Sequence, residues 1–287
     1  MKNSKMVLSI IFSIIILIIT QTIASVFSSV FLIFNVPDFI CYAFEGIAYA
    51  VLGFYMIKLL CEKYLKEDMR NYFIPQFSVR WKWVIIAIAL PLLVSASYMP
   101  FSGSFEKNTF DTSQKLAILT SGIFVIGLAS GIVEEIVFRG IIMNVIAKKF
   151  NKTVAVVAPS LLFGLVHIIN RRFDFVSYVL VIFAGTMVGV MFSLIALESR
   201  SVWNSAIVHA FWNIIIIGGI LNIGTAFDEY SLYNYVLDTE LFVWTGGEFG
   251  IEASAISVVG YCFVSIAAII FIKKTKKQQV ESSFLAE

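Results

Sequence analysis

Charge is what this sequence has least of: Asp, Glu, Lys and Arg make up 14% of its 287 residues, hydrophobic residues make up 59%, and the mean hydropathy is +0.90. That balance excludes an ordinary soluble domain, in which about a quarter of residues are charged. The net charge of +2 is too small for a nucleic-acid partner, and the basic residues cluster at the ends of apolar runs instead of along one face. Cysteine is scarce too. Cys41, Cys61 and Cys262 form no CxxC pair and lie in or beside apolar runs, which excludes a zinc knuckle and a disulfide framework and leaves packing as their role. No internal repeat or low-complexity linker divides the chain, so residues 1–287 read as a single integral-membrane domain.

What fills the sequence is long apolar runs. Taking about 18 or more apolar residues as one crossing, eight are expected, near 7–34, 39–60, 82–100, 116–147, 153–170, 175–197, 202–222 and 254–272. The predicted fold class is all-α, a polytopic membrane protein of about eight transmembrane helices. The first run follows Lys2 and Lys5 but is far longer than the roughly 7–15 residues of a signal-peptide core and lacks an A-x-A site, so it is read as a first crossing.

Loop charge orients the bundle. Lys2, Lys5, Lys58, Lys63, Lys66, Arg70, Arg80, Lys82, Lys148, Lys149, Lys152, Arg200 and the tail lysines 273, 274, 276 and 277 all fall on one side, which places both termini in the cytoplasm. The segment between the last two runs carries Asp228, Glu229, Asp238, Glu240, Glu248 and Glu252 with no basic residue, and reads as a cap over the outer face. Arg171 and Arg172 break the rule. Residues 58–82, charged and ending in Trp81 and Trp83, fit either an interfacial amphipathic helix or a solvated connector.

Against this background the run 116–147 contains "GIVEEIVFRG", residues 131–140. A charge at the centre of a membrane helix costs about 2.5–3.5 kcal/mol on insertion scales, so Glu134, Glu135 and Arg139 need a reason to be there. Glu135 and Arg139 are four apart, on one helical face and able to pair. Glu134 points about 100° away, toward a different neighbour. The run is also too long for the bilayer when straight, and Gly122, Gly127, Gly131 and Gly140 offer places to bend. A structural ion pair would explain Glu135 and Arg139 alone. The histidines add to it: the chain has two, His167 and His209, both inside apolar runs. Counting about 1.5 Å per residue from the cytoplasmic anchors, Glu134, His167 and Asn213 reach similar depths of roughly 20–22 Å, and His209 lies four residues before Asn213 on the same face.

A carboxylate and an imidazole sharing a water can deprotonate it for attack on a carbonyl, while a second histidine and an asparagine amide can donate to the developing oxyanion. That inventory fits hydrolysis of a peptide bond by activated water, with no cofactor required. No GxSxG elbow or other nucleophile signature accompanies Ser130 or Ser205. A divalent metal such as zinc held by Glu134, His167 and His209 is the alternative, although HExxH is absent.

"EEIVFR" (Glu134, Glu135, Arg139), "FGLVH" (Phe163, His167) and "HAFWN" (His209, Asn213) together resemble the three motifs of the CPBP family, the CAAX protease and bacteriocin-processing intramembrane proteases, also called Abi proteins or type II CAAX prenyl endopeptidases. The resemblance covers about residues 116–222. It implies an eight-helix fold with a cavity open to the cytoplasm or the bilayer and a membrane-bound protein or peptide as substrate. It also implies Glu134 and His167 as water activators, His209 and Asn213 as oxyanion donors, and Glu135 and Arg139 as orienting residues. The Ile-, Phe-, Lys- and Asn-rich composition points to a bacterial cytoplasmic membrane, where family members are linked to bacteriocin immunity, pheromone maturation and surface display. Two rivals differ in class. A proton-coupled transporter calls for inverted repeats, which are not visible; a non-catalytic membrane scaffold or immunity protein would keep its function without Glu134 and His167.

Overall fold

The computed structural model describes residues 2–284, without the side chains of Lys276 and of residues 279–284; the ends of the one-domain reading and the Lys276 side chain lie outside the described residues. Helix α1 (Asn3–Leu32) shows how the sequence suits its solvent. Its buried stripe is Ser9, Ser13, Ile16, Thr20, Ala24 and Ser28, while Ile15, Ile18, Ile19, Ile23 and Phe27 face outward. Small residues let helices approach closely where lipid, not water, covers the rest. Their hydroxyls are satisfied locally, Thr20 Oγ1 donating to the Ile16 carbonyl at 2.7 Å, or across the interface, Ser28 Oγ donating to the Cys41 carbonyl at 2.8 Å.

Helix α2 (Asp38–Leu59) runs back and ends in a π-helical turn, Leu60–Leu65. Residues 66–80 then form a connector with one 3₁₀ turn, Met69–Tyr72, so of the two readings of 58–82 the connector describes the structure. Tyr72 and Ile74 from this connector are buried in the core. Helix α3 (Trp81–Ala96) leads to the opposite end and a strand, β1 (Gly103–Lys107).

The run carrying the acidic pair is one continuous rod of alternating geometry: α4 (Thr112–Thr120), a π segment (Ser121–Ala129), α5 (Ser130–Glu135), a second π segment (Ile136–Ile142) and α6 (Met143–Ala147). The expected glycine bends are thus realised as two stretches of widened helix, a distortion that recurs at functional sites. Asn144 stabilises the second by donating to the carbonyls of Arg139 and Gly140 at 3.0 and 2.8 Å. Helix α7 (Lys152–Val166), capped by Asn151, packs against α8 (Phe175–Ser199), capped by Asp174. Gly164 and Gly185 meet at that crossing, where a β-carbon on Gly185 would sit 2.7 Å from the Gly164 Cα. Helix α9 (Val202–Trp212) continues as a π turn, Asn213–Ile217.

The acidic segment that follows departs from the all-α expectation. It supplies β2 (Leu221–Gly224) and β3 (Tyr233–Leu237), which join β1 in a sheet of order β1-β3-β2, antiparallel then parallel. Helix α10 (Phe242–Thr245), two short 3₁₀ turns and α11 (Ala255–Phe284) complete the described residues. Among the described residues, five helical stretches are long and apolar enough to cross a membrane: Asn3–Leu32, Asp38–Leu65, Thr112–Ala147, Phe175–Ser199 and Ala255–Thr275; Trp81–Ala96, Lys152–Val166 and Val202–Ile217 are shorter apolar helices.

Candidate active site

The rod, α7 and α9 meet around one cluster of ionisable side chains. Close contact between α5 and α9 makes this possible, since a β-carbon on Gly131 would lie 2.9 Å from the Ala210 backbone nitrogen. The i,i+4 spacing delivers the expected pair: Arg139 Nη1 donates to Glu135 Oε1 at 2.6 Å, with both side chains buried. Arg139 Nη2 donates to the Gly189 carbonyl of α8 at 3.1 Å. The rings of Phe163, Phe192 and Phe138 surround the guanidinium at 4.5, 5.2 and 5.7 Å, so its flat faces meet π clouds instead of lipid.

His209 joins the pair. Its Nδ1 lies 3.2 Å from Glu135 Oε1, its Nε2 lies 3.9 Å from Glu134 Oε2, and its ring stacks on Phe192 at 4.6 Å. The expectation that the two glutamates face different neighbours is therefore corrected. They diverge by one helical step, but His209 stands between them and presents one ring nitrogen to each. Arg139 pairs with Glu135, and the His209 ring stands between the two carboxyl groups.

His167 is bound differently. It caps the C-terminus of α7, and its Nδ1 lies 2.6 Å from the Phe163 carbonyl one turn earlier. A carbonyl only accepts, so Nδ1 carries the proton and Nε2 of the neutral ring carries the lone pair. The sequence motif thus has a local meaning: Phe163 supplies the carbonyl that sets the tautomer of His167, and its ring touches His167, His209, Phe138 and the guanidinium. Asn213 begins the π turn of α9, and its Nδ2 donates to the Ile126 carbonyl at 2.9 Å, committing one of its two N–H groups.

Glu134, His167, His209, Asn213 and Phe163 line one cavity of about 330 Å³ between the helices. Sequence reasoning missed two of its ionisable neighbours, Arg171 and Glu252. The segment expected to be an inert cap contributes Phe249 and Glu252 to the wall. Burial pushes the Glu252 carboxyl up to about 7, against the opposing influence of the Trp212 indole and Arg171. A carboxylate directly before an apolar run was the signal available. A larger hollow of about 1310 Å³ lies among Lys58, Arg70, Arg80 and Arg200 and contains none of the motif residues.

Among the described residues, no group of three or more His, Cys, Asp or Glu side chains is arranged to hold a metal ion. Glu134, His167 and His209 line the same cavity, with His209 turning Nδ1 to Glu135 and Nε2 toward Glu134. Two buried atoms of the cluster have no hydrogen-bond partner, Glu135 Oε2 and Arg139 Nε.

Long apolar helices that enclose a cavity lined by carboxylate, imidazole and amide groups define the class: an integral membrane protein with an internal polar site. Residues 114–215 of the chain match the family described as type II CAAX prenyl endopeptidase Rce1-like. That stretch contains every motif residue named above, in agreement with the resemblance drawn from the sequence. No curated protein matches the chain.

Proposed function

We propose that this protein is an intramembrane endopeptidase of eight crossings, with both termini cytoplasmic, that hydrolyses a peptide bond of a membrane-bound protein or peptide without a metal ion. The observation that carries the reading is the fixed tautomer of His167: its lone-pair nitrogen shares a cavity with the Glu134 carboxylate. Glu134 and His167 hold a water and take its proton as the water oxygen bonds to the scissile carbonyl carbon. The resulting oxyanion accepts hydrogen bonds from His209 Nε2–H and from the uncommitted N–H of Asn213. For His209 to donate from Nε2 while Nδ1–H donates to Glu135, it carries both ring protons in this step. The C–N bond then breaks as the leaving amine takes the proton drawn from water, and the second water proton, left on the new carboxylic acid, passes to the Glu134–His167 pair and on to solvent as the new terminus departs as a carboxylate. Glu135 and Arg139 act through His209 as positioning residues.

Wild type, Glu134→Gln and His167→Ala, each verified as folded, are compared by mass spectrometry of membrane peptides. Fragments that vanish in both variants are expected, with a rate loss of roughly 10²–10⁴-fold for either. Cleavage that is unchanged in the variants overturns the reading and favours a scaffold. Loss of cleavage on chelation in wild type overturns the metal-free step.

A further inference from the structure

The site's cavity is lined at its floor by Glu134 and His209, and at its other end by Ile169, Arg171, Phe249 and Glu252. Ile169 and Arg171 belong to the turn after α7. Phe249 and Glu252 belong to the segment between the sheet and α11. This segment is strapped over that turn: Asp174 N donates to Glu248 Oε2 at 3.0 Å, Glu248 N donates to Ser177 Oγ at 3.1 Å, and the Phe249 ring stands 6.1 Å from Phe173 and 6.2 Å from His167. The cavity therefore reaches the end of the molecule that carries the β-sheet.

The opposite end is closed. Below Glu135 the rod presents Ile136, Val137, Phe138, Ile141, Ile142 and Met143, all buried. Tyr72 and Ile74 fold in from the connector to complete that packing. Every loop on the closed side carries the basic residues that mark the cytoplasm, whereas the sheet side has only Lys107, Lys115, Arg171 and Arg172 among its many carboxylates.

Resting on the endopeptidase reading, we infer that the catalytic cavity is served from the extracytoplasmic face. Its substrate class is then a membrane-anchored polypeptide that presents its cleavable segment at the outer leaflet. A lipidated tail displayed on the cytoplasmic leaflet would meet the packed end instead. Arg171 and Glu252 line this end of the cavity, and a polar peptide backbone passing between them would exchange water for hydrogen bonds to both before it reaches His167.

The test is topological and independent of turnover. Ile169→Cys and Tyr230→Cys are placed on the sheet side and Phe77→Cys on the basic side, each at an exposed position, with Cys262→Ser and the buried Cys41 and Cys61 left in place. A membrane-impermeant maleimide is applied to intact spheroplasts and to permeabilised ones. The expected result is labelling of Ile169→Cys and Tyr230→Cys in intact spheroplasts and of Phe77→Cys only after permeabilisation. The reverse pattern overturns the inference by inverting the protein. Labelling of Tyr230→Cys without Ile169→Cys in either state overturns it by closing the mouth. Either failure leaves the Glu134→Gln comparison standing, so the side of access and the chemistry are judged separately.

Discussion

Two carboxylates, Glu135 and Glu198, are both buried beside cations, and they are satisfied in opposite ways. Glu198 sits at the basic end, where Oε1 accepts from Arg80 Nη1 at 2.9 Å and Lys82 Nζ at 2.8 Å and Oε2 accepts from the Trp83 indole at 3.0 Å. Its partners reach water, the Arg80 side chain being 48% exposed. Glu135, deep in the bundle, concentrates its contacts on one oxygen and leaves Oε2 without a partner, as Arg139 leaves Nε. The difference separates an anchor from a working site. Glu198 ties the start of α3 to the end of α8 with both oxygens hydrogen-bonded, whereas the Glu135 cluster keeps unsatisfied atoms beside a cavity, the pattern the endopeptidase reading calls for.

Arg139→Met is the strongest break in that contrast. It strands a carboxylate in the bundle core and is expected to cost about 3–5 kcal/mol of stability, read as a large drop in melting temperature in detergent. Glu135→Leu combined with Arg139→Met should recover most of that stability while cleavage stays lost, since an apolar pair of similar volume removes both charges but no longer holds His209. Glu198→Gln ranks next, at about 1–3 kcal/mol, and the folded fraction of this variant should cleave at the wild-type rate. If it loses cleavage in proportion to the Glu135 variants, the division between anchor and site fails.

The smallest effect sharpens the comparison at the cavity mouth. Burial holds the Glu252 carboxyl at about 7, above its ordinary 4.5. A raised acid binds its proton more tightly in the folded state, so the wild type should lose stability as pH rises through that window, between about pH 5 and about pH 7. Glu252→Gln should melt at nearly the wild-type temperature at the acid end and above it at the alkaline end. A wild-type melting temperature that rises across this window, or a variant with an unchanged pH profile, would show that Glu252 is not the group responsible.

The long crossings were legible because apolar runs such as 7–34 have no other stable use. The Glu135–Arg139 pair was legible because four residues make nearly one helical turn. The meeting of both glutamates at His209 was not, since the angular argument fixes directions on one helix and is silent on what a second helix places between them. The π segments were equally hidden, because Gly122 and Gly127 announce a distortion without its kind. The strands "LNIG" and "YNYVL" are too short and too close to aromatic loop sequence to stand out, and the parallel pairing of β2 with β3 depends on contacts made only after the bundle forms. Glu252 was read as one acid among several, and only its burial in the folded chain distinguishes it.

Helix α7 has 15 residues and α9 with its π turn spans Val202–Ile217, while α1 has 30 and α8 has 25. At about 1.5 Å per residue the two short helices measure roughly 22–24 Å, against a hydrocarbon layer of about 30 Å. Both end at the site, in His167 and just beyond Asn213. Lipids beside them must shorten or tilt to match, which draws the water boundary down over the cavity. On the endopeptidase reading, the supply of water to Glu134 then depends on acyl chain length, and bilayer thickness joins the side chains in setting turnover.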